Sequence, residues 1–339
     1  MRFSGGWEGQ VEMARIKAIG LFSGGLDSVL AFKVLQEQGV ETIGVHFFTP
    51  FYSRPEIKDL AKKFKIDLIV VPVLDEYIEG VLKSPVCGYG KNFNPCIDCH
   101  AFMVRKAGEL MPELGAEFVF TGEVLGERPF SQNSYGLRKV EELSGIQGYL
   151  LRPLSAKLLP ETVPERKGWV DRARLLDIKG RGRQRQIELS KRYGIAIDPS
   201  LQPAGGCLLT DPFISKRIRA YVRRFHRQDL VIYPLIKTGR HFLVAEDTGL
   251  IIGRNRFENE VIKRYKSKGV LLESVGVPGP LGLIFGKAAQ DPAVHGLCAR
   301  ILASYCKGQY GDDLFVNFSD GDGLGIKKED RKRFSRYAI

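Results

Sequence analysis

Three groups of residues in this chain of 339 residues combine types and spacings suited to chemistry. The first is Leu21-Phe22-Ser23-Gly24-Gly25-Leu26-Asp27-Ser28. Two glycines let the main chain approach a ligand closely, while the serines and the N–H groups opening a helix offer donors to an anion. The expected ligand is a phosphate or pyrophosphate, held by Ser23, Gly24, Gly25, Leu26, Asp27 and Ser28. This is not a Walker loop, because no Gly-Lys-Ser or Gly-Lys-Thr follows at the required spacing. An earlier Ser4-Gly5-Gly6 lacks both the Asp-Ser pair and a following helical pattern.

The second group is sulfur. Cys96 and Cys99 form a Cys-x-x-Cys in a glycine-, asparagine- and proline-rich loop, at the mouth of a helix expected over Ala101 to Met111. Two thiolates three residues apart can face one metal or cluster, and a helix N-terminus lowers their pKa. Zinc, a redox pair and an iron–sulfur cluster all use this pattern, so it needs a partner from elsewhere. Cys207, just after Gly205-Gly206, is the natural third. Cys87 reads as an ordinary loop thiol, and Cys298 and Cys306 as core residues in or just after a helix.

The third group is Thr121-Gly122-Glu123-Val124-Leu125-Gly126-Glu127-Arg128-Pro129-Phe130-Ser131-Gln132. A strand ends here in glycine and polar residues. Gly122 and Glu123 are assigned to the nucleotide, with Arg128, Ser131 and Gln132 as further contacts to nucleotide, metal or substrate. Lys157 is the weakest candidate, as a cationic group near the same edge.

These groups need a scaffold. Strand patterns at Ile16 to Phe22, Glu41 to Phe48, Asp67 to Val73 and Ala116 to Thr121 alternate with helical ones after Ser28 and over Arg54 to Phe64. That alternation predicts an α/β fold, a parallel sheet with helices on both faces. Ligands of such sheets lie beyond the carboxyl ends of the strands, where Ser23 to Ser28 would sit. From about Leu230 the chain reads as a smaller α+β domain, with strands at Val231 to Ile236, Phe242 to Ala245 and Leu250 to Ile252 and a helix at Ala293 to Tyr305. The boundaries expected are a flexible extension over 1–14, a nucleotide domain over 15–160, a basic connecting region over 161–228 that completes the site with Cys207, and a C-terminal domain over 229–339.

Composition speaks to partners. Lysine and arginine outnumber aspartate and glutamate by 51 to 39, a net charge of +12, which favours nucleic acid. Two clusters carry it. Arg181, Arg183 and Arg185 follow Lys179, while Arg217, Arg223 and Arg224 lie in a segment that also holds Lys216, Arg219 and Arg227, with Tyr221 and Phe225 interleaved. No run of eighteen apolar residues predicts a membrane span, and without a secretory pattern at the N-terminus the expected location is the cytoplasm.

With these residues assembled, the first two thirds of the chain resembles the tRNA sulfurtransferases, or thiouridine synthases, of the PP-loop ATP pyrophosphatase superfamily, whose fold is adenine nucleotide alpha-hydrolase-like. Ser23 to Ser28 is similar to the Ser-Gly-Gly-x-Asp-Ser loop of that superfamily. Asn94-Pro95-Cys96-Ile97-Asp98-Cys99-His100 resembles the Asn-Pro-Asp-x-x-Cys-Asn segment of tRNA 2-thiouridylases, so that Cys99 and Cys207 match the two cysteines of that family. Cys96 stands at the aspartate position. The resulting three-cysteine set resembles the iron–sulfur-dependent thiolases, in which three thiolates hold a 4Fe-4S cluster; zinc on the same ligands is the alternative.

What the resemblance implies is adenylation of a tRNA uridine by ATP with Mg2+ near Asp27, then sulfur transfer. Asp27, Cys99 and Cys207 would be catalytic, and Cys96, Cys99 and Cys207 would hold the metal. The donor would be inorganic sulfide, a persulfide or a sulfur-carrier protein, and the assembly a homodimer. Thr238-Gly239-Arg240-His241-Phe242 and Ile252-Gly253-Arg254-Asn255-Arg256 resemble the NFACT-R type of RNA-binding domain, which implies RNA contacts at Arg240 and Arg254. The competing readings are a PP-loop amide-forming ligase and a metal-stabilised RNA-binding protein without catalysis.

Overall fold

The computed structural model describes residues 16–52, 54–197, 201, 207–225 and 233–339. The extension 1–14, Pro203 to Gly206 and Arg227 lie outside them. Two compact units emerge. One is drawn from Met1–Phe48, Ser53–Val73 and Cys96–Gly205, the other from Thr49–Tyr52, Leu74–Pro95 and Gly206–Ile339. Among the described residues no helix is long and apolar enough to cross a membrane.

The first unit is a parallel sheet with helices. Its strands are β1 (Lys17–Leu21), β2 (Glu41–Phe48), β3 (Asp67–Pro72), β4 (Phe118–Phe120) and β5 (Leu150–Leu151), in spatial order β3-β2-β1-β4-β5. All four pairings are parallel. The chain builds outward from β1 to β3, then returns to the other side of β1 for β4 and β5. The order therefore reverses between β1 and β4, and the crevice at their carboxyl ends is where such sheets bind ligands. Helices α1 (Leu26–Gln36), α2 (Ile57–Lys63), α3 (Cys96–Glu109), α4 (Ser134–Ser144) and α5 (Gln184–Arg192) belong to the same unit.

The core explains the rigidity of β1 and the turn after it. Phe22 meets Phe32 of α1 edge-on at 5.7 Å, and Phe32 meets Phe120 of β4 at 4.7 Å. Val29, Leu30 and Leu35 are fully buried beside them. The polar, basic stretch after residue 160 also contributes, since Val170, Leu175, Ile178 and Ile195 bury their side chains in this core. α3 begins at Cys96 rather than at Ala101, so the Cys-x-x-Cys is the first turn of the helix. Pro95 sits just before it, where a missing N–H costs the helix nothing. At the head of α4 the Asn133 side chain accepts from the Gly136 N–H at 2.7 Å. Replacing Asn133 with alanine should cost about 1 kcal/mol, seen as a lower urea midpoint for this unit.

The second unit carries a six-stranded antiparallel sheet in the order β11-β10-β8-β9-β7-β6. Its strands are β6 (Arg240–Ala245), β7 (Thr248–Ile252), β8 (Val270–Val275), β9 (Leu281–Gly286), β10 (Asp313–Phe318) and β11 (Gly321–Lys327). Helices α6 (Pro212–Arg224), α7 (Arg256–Lys263) and α8 (Pro292–Ala303) complete the α+β unit. Leu250, Ile252, Leu272, Ile284 and Val316 share one core with Cys298, Ile301 and Leu302 of α8. Burial pushes the Cys298 thiol far up, as befits a core residue.

The strand expected over Val231 to Ile236 is not one in its described part. Tyr233 to Leu235 form a helical turn, with the Ile236 N–H on the Tyr233 carbonyl at 3.1 Å and the Thr238 N–H on Leu235 at 2.7 Å. Pro234 has no N–H for a ladder, so the apolar run closes on itself.

Candidate active site

The Ser23 to Ser28 loop leaves β1 at the reversal point and enters α1. Gly24 has φ +74°, a left-handed conformation, and a Cβ there would stand 3.0 Å from Ile57 Cδ1. Gly25 caps α1 in extended conformation with no side-chain cap, which leaves the first-turn amides to an outside acceptor. The hydroxyls brace the turn. Ser28 Oγ donates to the Gly25 carbonyl at 2.7 Å, and Ser23 Oγ accepts from the Gly25 N–H at 3.3 Å. Arg54 donates to the Gly24 carbonyl at 3.0 Å. Leu26 turns its side chain into the core.

Gly122 follows β4 and lies against the start of α1. A Cβ on it would stand 2.6 Å from the Ser28 nitrogen and 2.7 Å from the Asp27 carbonyl, both main-chain atoms. Only glycine permits that approach. The segment beyond is sewn on by a bridge between Leu125 and Lys179 and by the Gly180 N–H on the Leu125 carbonyl at 2.7 Å. This link carries Arg183, at the head of α5, to Asp27, with Nη2 3.5 Å from Oδ2.

Around Asp27 lies a set of buried polar atoms without a well-formed hydrogen bond among the described residues: Asp27 Oδ1, Arg183 Nε and Nη2, the latter in the long ion pair with Asp27, and both side-chain amide atoms of Gln186, which lies close enough to Asp27 to lower its carboxyl. Gln186 is fully buried. Such atoms are rare in folded proteins and mark a strained site or one shaped around a ligand. Burial pushes the Asp27 carboxyl up, and Arg183 offsets part of that. Burial and the neighbouring Asp27 charge push Glu127 up as well. Two carboxyls that both resist ionisation suit a divalent cation, whose charge reverses the penalty.

Glu123 is committed elsewhere. Its carboxylate accepts from Arg152 Nε at 3.0 Å and Thr121 Oγ1 at 3.0 Å, and lies 2.6 Å from His100 Nδ1. Burial alone would raise it, but Arg152 and His100 outweigh that and hold it at about 2. Glu123 thus anchors His100, the residue after Cys99, to the end of β4. Ser131 and Gln132 are buried, and the Gln132 carbonyl accepts from the Gly126 N–H at 2.6 Å, which shapes the loop. Lys157 Nζ donates to the Ala173 carbonyl at 2.7 Å.

Cys96 and Cys99 are partly exposed on the first turn of α3, in the first unit. Cys207 precedes a short 3-10 helix, Leu208–Thr210, in the second. Within either unit, among the described residues, no group of three or more His, Cys, Asp or Glu side chains is gathered to hold a metal ion. In donor chemistry the first unit offers a pair of soft sulfur ligands on one helical turn, Cys96 and Cys99.

The arginines assigned to RNA divide by environment. Arg181 is exposed, Arg185 bonds to Asp177 at 2.5 Å, and Arg183 sits beside Asp27. Arg217 is half-buried, donating to the Ile236 carbonyl at 3.1 Å. Arg254 clasps Glu258, with Nε 2.9 Å from Oε1, and Arg240 lies over the Tyr305 ring at 4.7 Å. Arg223 and Arg224 are exposed. Tyr221 and Phe225 are core residues, and the Tyr221 hydroxyl donates to His241 Nδ1 at 2.6 Å. Sequence patterns gave no role to Gln186, Glu127 or His100, although Glu127 and His100 stand inside segments singled out by their patterns; their roles come only from what the fold brings beside them.

Residues 16–165 match the tRNA methyl transferase HUP domain family, and residues 239–330 match the NFACT protein RNA-binding domain. A tRNA-specific 2-thiouridylase MnmA of Petrotoga mobilis is 30% identical over 171 residues, 44% of this chain and 47% of that protein. A probable tRNA sulfurtransferase of Thermococcus kodakarensis is 30% identical over 155 residues, 44% of this chain and 39% of that protein. The chain thus spans less than half the length of these curated relatives. A solved 4-thiouridine synthetase–RNA complex with bound ATP aligns at 21% identity over 64% of this chain and 52% of that one, with a TM-score of 0.35, too low to bear on function. Residues 16–165 are accordingly a HUP domain of the PP-loop type, similar to those of tRNA thiouridylases and sulfurtransferases, and residues 239–330 a domain of the NFACT RNA-binding type.

Proposed function

We propose that the chain is an ATP-dependent tRNA sulfurtransferase that makes thiouridine. The observation that carries this reading is the buried, unpartnered set of Asp27, Arg183 and Gln186 atoms beside the Ser23 to Ser28 loop. A nucleotide phosphate chain with Mg2+ supplies what each of those atoms lacks: acceptors for Arg183 and the Gln186 amide, and a cation for Asp27. The thiouridylase and sulfurtransferase relatives supply the reaction class.

In this reading Ser23, Gly24, Gly25, Leu26 and Ser28 cradle the pyrophosphate through main-chain amides and hydroxyls, with Gly122 closing the floor. The uridine carbonyl oxygen attacks the alpha phosphorus and pyrophosphate leaves. Sulfur then bonds to the ring carbon, and AMP departs with the former carbonyl oxygen. Adenylation is required because a carbonyl oxygen is otherwise a poor leaving group. Cys99 and Cys207 serve the sulfur step, and His100 is held beside Cys99 by Glu123. Cys96, Cys99 and Cys207 would hold a 4Fe-4S cluster, which when bound would supply soft iron for sulfur binding; zinc on the same cysteines is the alternative.

The substrate is tRNA in the cytoplasm, and the donor is sulfide, a persulfide or a sulfur-carrier protein. The boundaries that accompany this reading are 1–14, 15–160, 161–228 and 229–339. Mass spectrometry of tRNA nucleosides from a deletion strain, complemented with wild type, Asp27→Ala or Cys99→Ala, tests it. Loss of one thionucleoside, restored only by wild type, is expected; unchanged thionucleosides in the deletion strain would end the assignment. Anaerobic reconstitution with iron and sulfide separates cluster from zinc, because only a cluster gives broad visible absorbance.

A further inference from the structure

The second unit contains a cavity of about 440 Å³ that the reaction does not use. It lies between the segment 82–93 and the end of α6, lined by Lys83, Tyr89, Phe93, Val222, Arg223 and Arg224 among others. Its volume falls in the range of about 300–1,000 Å³ typical of small-ligand sites, enough for one nucleotide and too small for a duplex.

The walls differ in chemistry. On one side the Tyr89 and Phe93 rings stack with centroids 4.5 Å apart and planes 23° from parallel, and the Arg219 guanidinium lies over Phe93 at 5.3 Å. This aromatic wall is braced. The Tyr89 hydroxyl donates to the Leu82 carbonyl at 2.5 Å, the Gly90 N–H to Asn94 at 3.0 Å, and Asn92 Nδ2 to the Thr210 carbonyl at 2.6 Å. Arg223 and Arg224, also in the lining, are exposed. Lys83 at the rim is shared with Glu79 at 2.7 Å.

A cavity whose lining combines a stacked aromatic pair with two exposed guanidinium groups offers what a single unpaired nucleotide needs, an aromatic surface for its base and arginine for its phosphate. We propose that this cavity binds one unpaired nucleotide of an RNA strand, the base against Tyr89 and the flanking phosphates on Arg223 and Arg224. The proposal rests on the reading that the chain acts on RNA, and it assigns a grip on the strand separate from the PP-loop. It also separates two residues from the other arginines of the basic cluster. Arg217 is tied to main-chain carbonyls of its own unit, whereas Arg223 and Arg224 face the cavity.

The test uses the full chain and a short fluorescein-labelled oligouridylate, with anisotropy measured across a salt series. Tyr89→Ala should weaken binding about 5- to 150-fold, the worth of one stacked base, with the salt slope unchanged. The double change Arg223→Glu and Arg224→Glu should weaken binding at least tenfold and reduce the slope of log K against log salt by about 1.4, two phosphate contacts on a single strand. Tyr89→Phe, which keeps the ring, should bind within about twofold of wild type, a control for local collapse. Duplex RNA of matched length should be insensitive to Tyr89→Ala. Unchanged oligouridylate binding in the alanine and glutamate variants overturns the proposal, as does a polyglutamate peptide competing equally well, which would make the cavity a general anion site. If wild type thiolates tRNA while these variants bind oligouridylate normally, only this proposal falls. If thiolation is absent yet the variants lose oligouridylate as described, only the catalytic reading falls.

Discussion

Arg152→Ala should destabilise the first unit by about 3–5 kcal/mol, seen as a large drop in its urea midpoint. Arg152 and Glu123 are only 4% and 5% exposed, so removing one partner leaves a carboxylate buried without its main counter-charge. Arg152 also donates to the Leu137 carbonyl at 3.0 Å, tying α4 to the end of β5, and that bond goes too. The pair also sets an acid limit. Glu123 sits at about 2 in the folded chain against an ordinary 4.5, so its contribution is complete above pH 4.5 and disappears as pH falls toward 2. The lost stability is about 3 kcal/mol across that window. Urea midpoints between pH 2 and pH 6 should follow this slope in wild type and flatten in Glu123→Leu with Arg152→Met, a double change expected to regain most of the single-variant loss. A cost under about 1 kcal/mol for Arg152→Ala would sink the account.

Gln186→Leu should move stability and nucleotide affinity in opposite directions. Both amide atoms are buried without a well-formed hydrogen bond among the described residues, the nearest polar neighbour being Asp27. Leucine of similar volume removes that penalty, so the ligand-free chain should gain about 1–3 kcal/mol. If the amide bonds a charged phosphate, the same change removes an interaction of about 1.5–3 kcal/mol, weakening ATP about 10- to 150-fold. A purely structural glutamine would lose stability and leave affinity alone. Thermal unfolding with and without ATP and Mg2+, beside titration with a fluorescent ATP analogue, reads both quantities. Arg183→Ala should weaken ATP at least as much, and should raise the Asp27 carboxyl further by removing the cation that offsets its burial. A less stable Gln186→Leu chain with wild-type affinity would place these atoms outside the nucleotide site.

How much of this was legible depends on whether the signal is local. The Ser23 to Ser28 turn is written in contiguous residues, because a strand, two glycines and a helix start must follow one another to make it. The same holds for the alternation that places β1 to β4, and for α8 with Pro292 at its first position. Boundaries were less legible. The first turn of α3 reads as loop because proline, asparagine and glycine precede it, yet the helix starts at Cys96 once Ile97 and Phe102 bury their side chains. Tyr233 to Ile236 reads as strand by composition, and Pro234 overrides it. Of the strands β8 to β11 that the sequence reading did not place, β11 carries no strand signal because it is mostly exposed and glycine-rich.

The basic clusters illustrate the limit. Arg181, Arg183 and Arg185 are equivalent as sequence, but Arg183 alone of the three is held against Asp27 by the Leu125 to Gly180 stitching. Arg217 and Arg224 share a helix seven residues apart, and one is bonded to its own unit while the other is exposed. Glu123 follows a strand end as a ligand should, and only the fold shows that its carboxylate pairs with Arg152 and His100.

By itself the sequence determined the fold class, the anion-binding turn and the presence of sulfur ligands, since each depends on neighbours in the chain. Tertiary structure decided which polar groups are satisfied and which are not. That is a matter of distance between segments such as Asp27 and Gln186, far apart in sequence, and of the burial that follows from it, which no local pattern encodes.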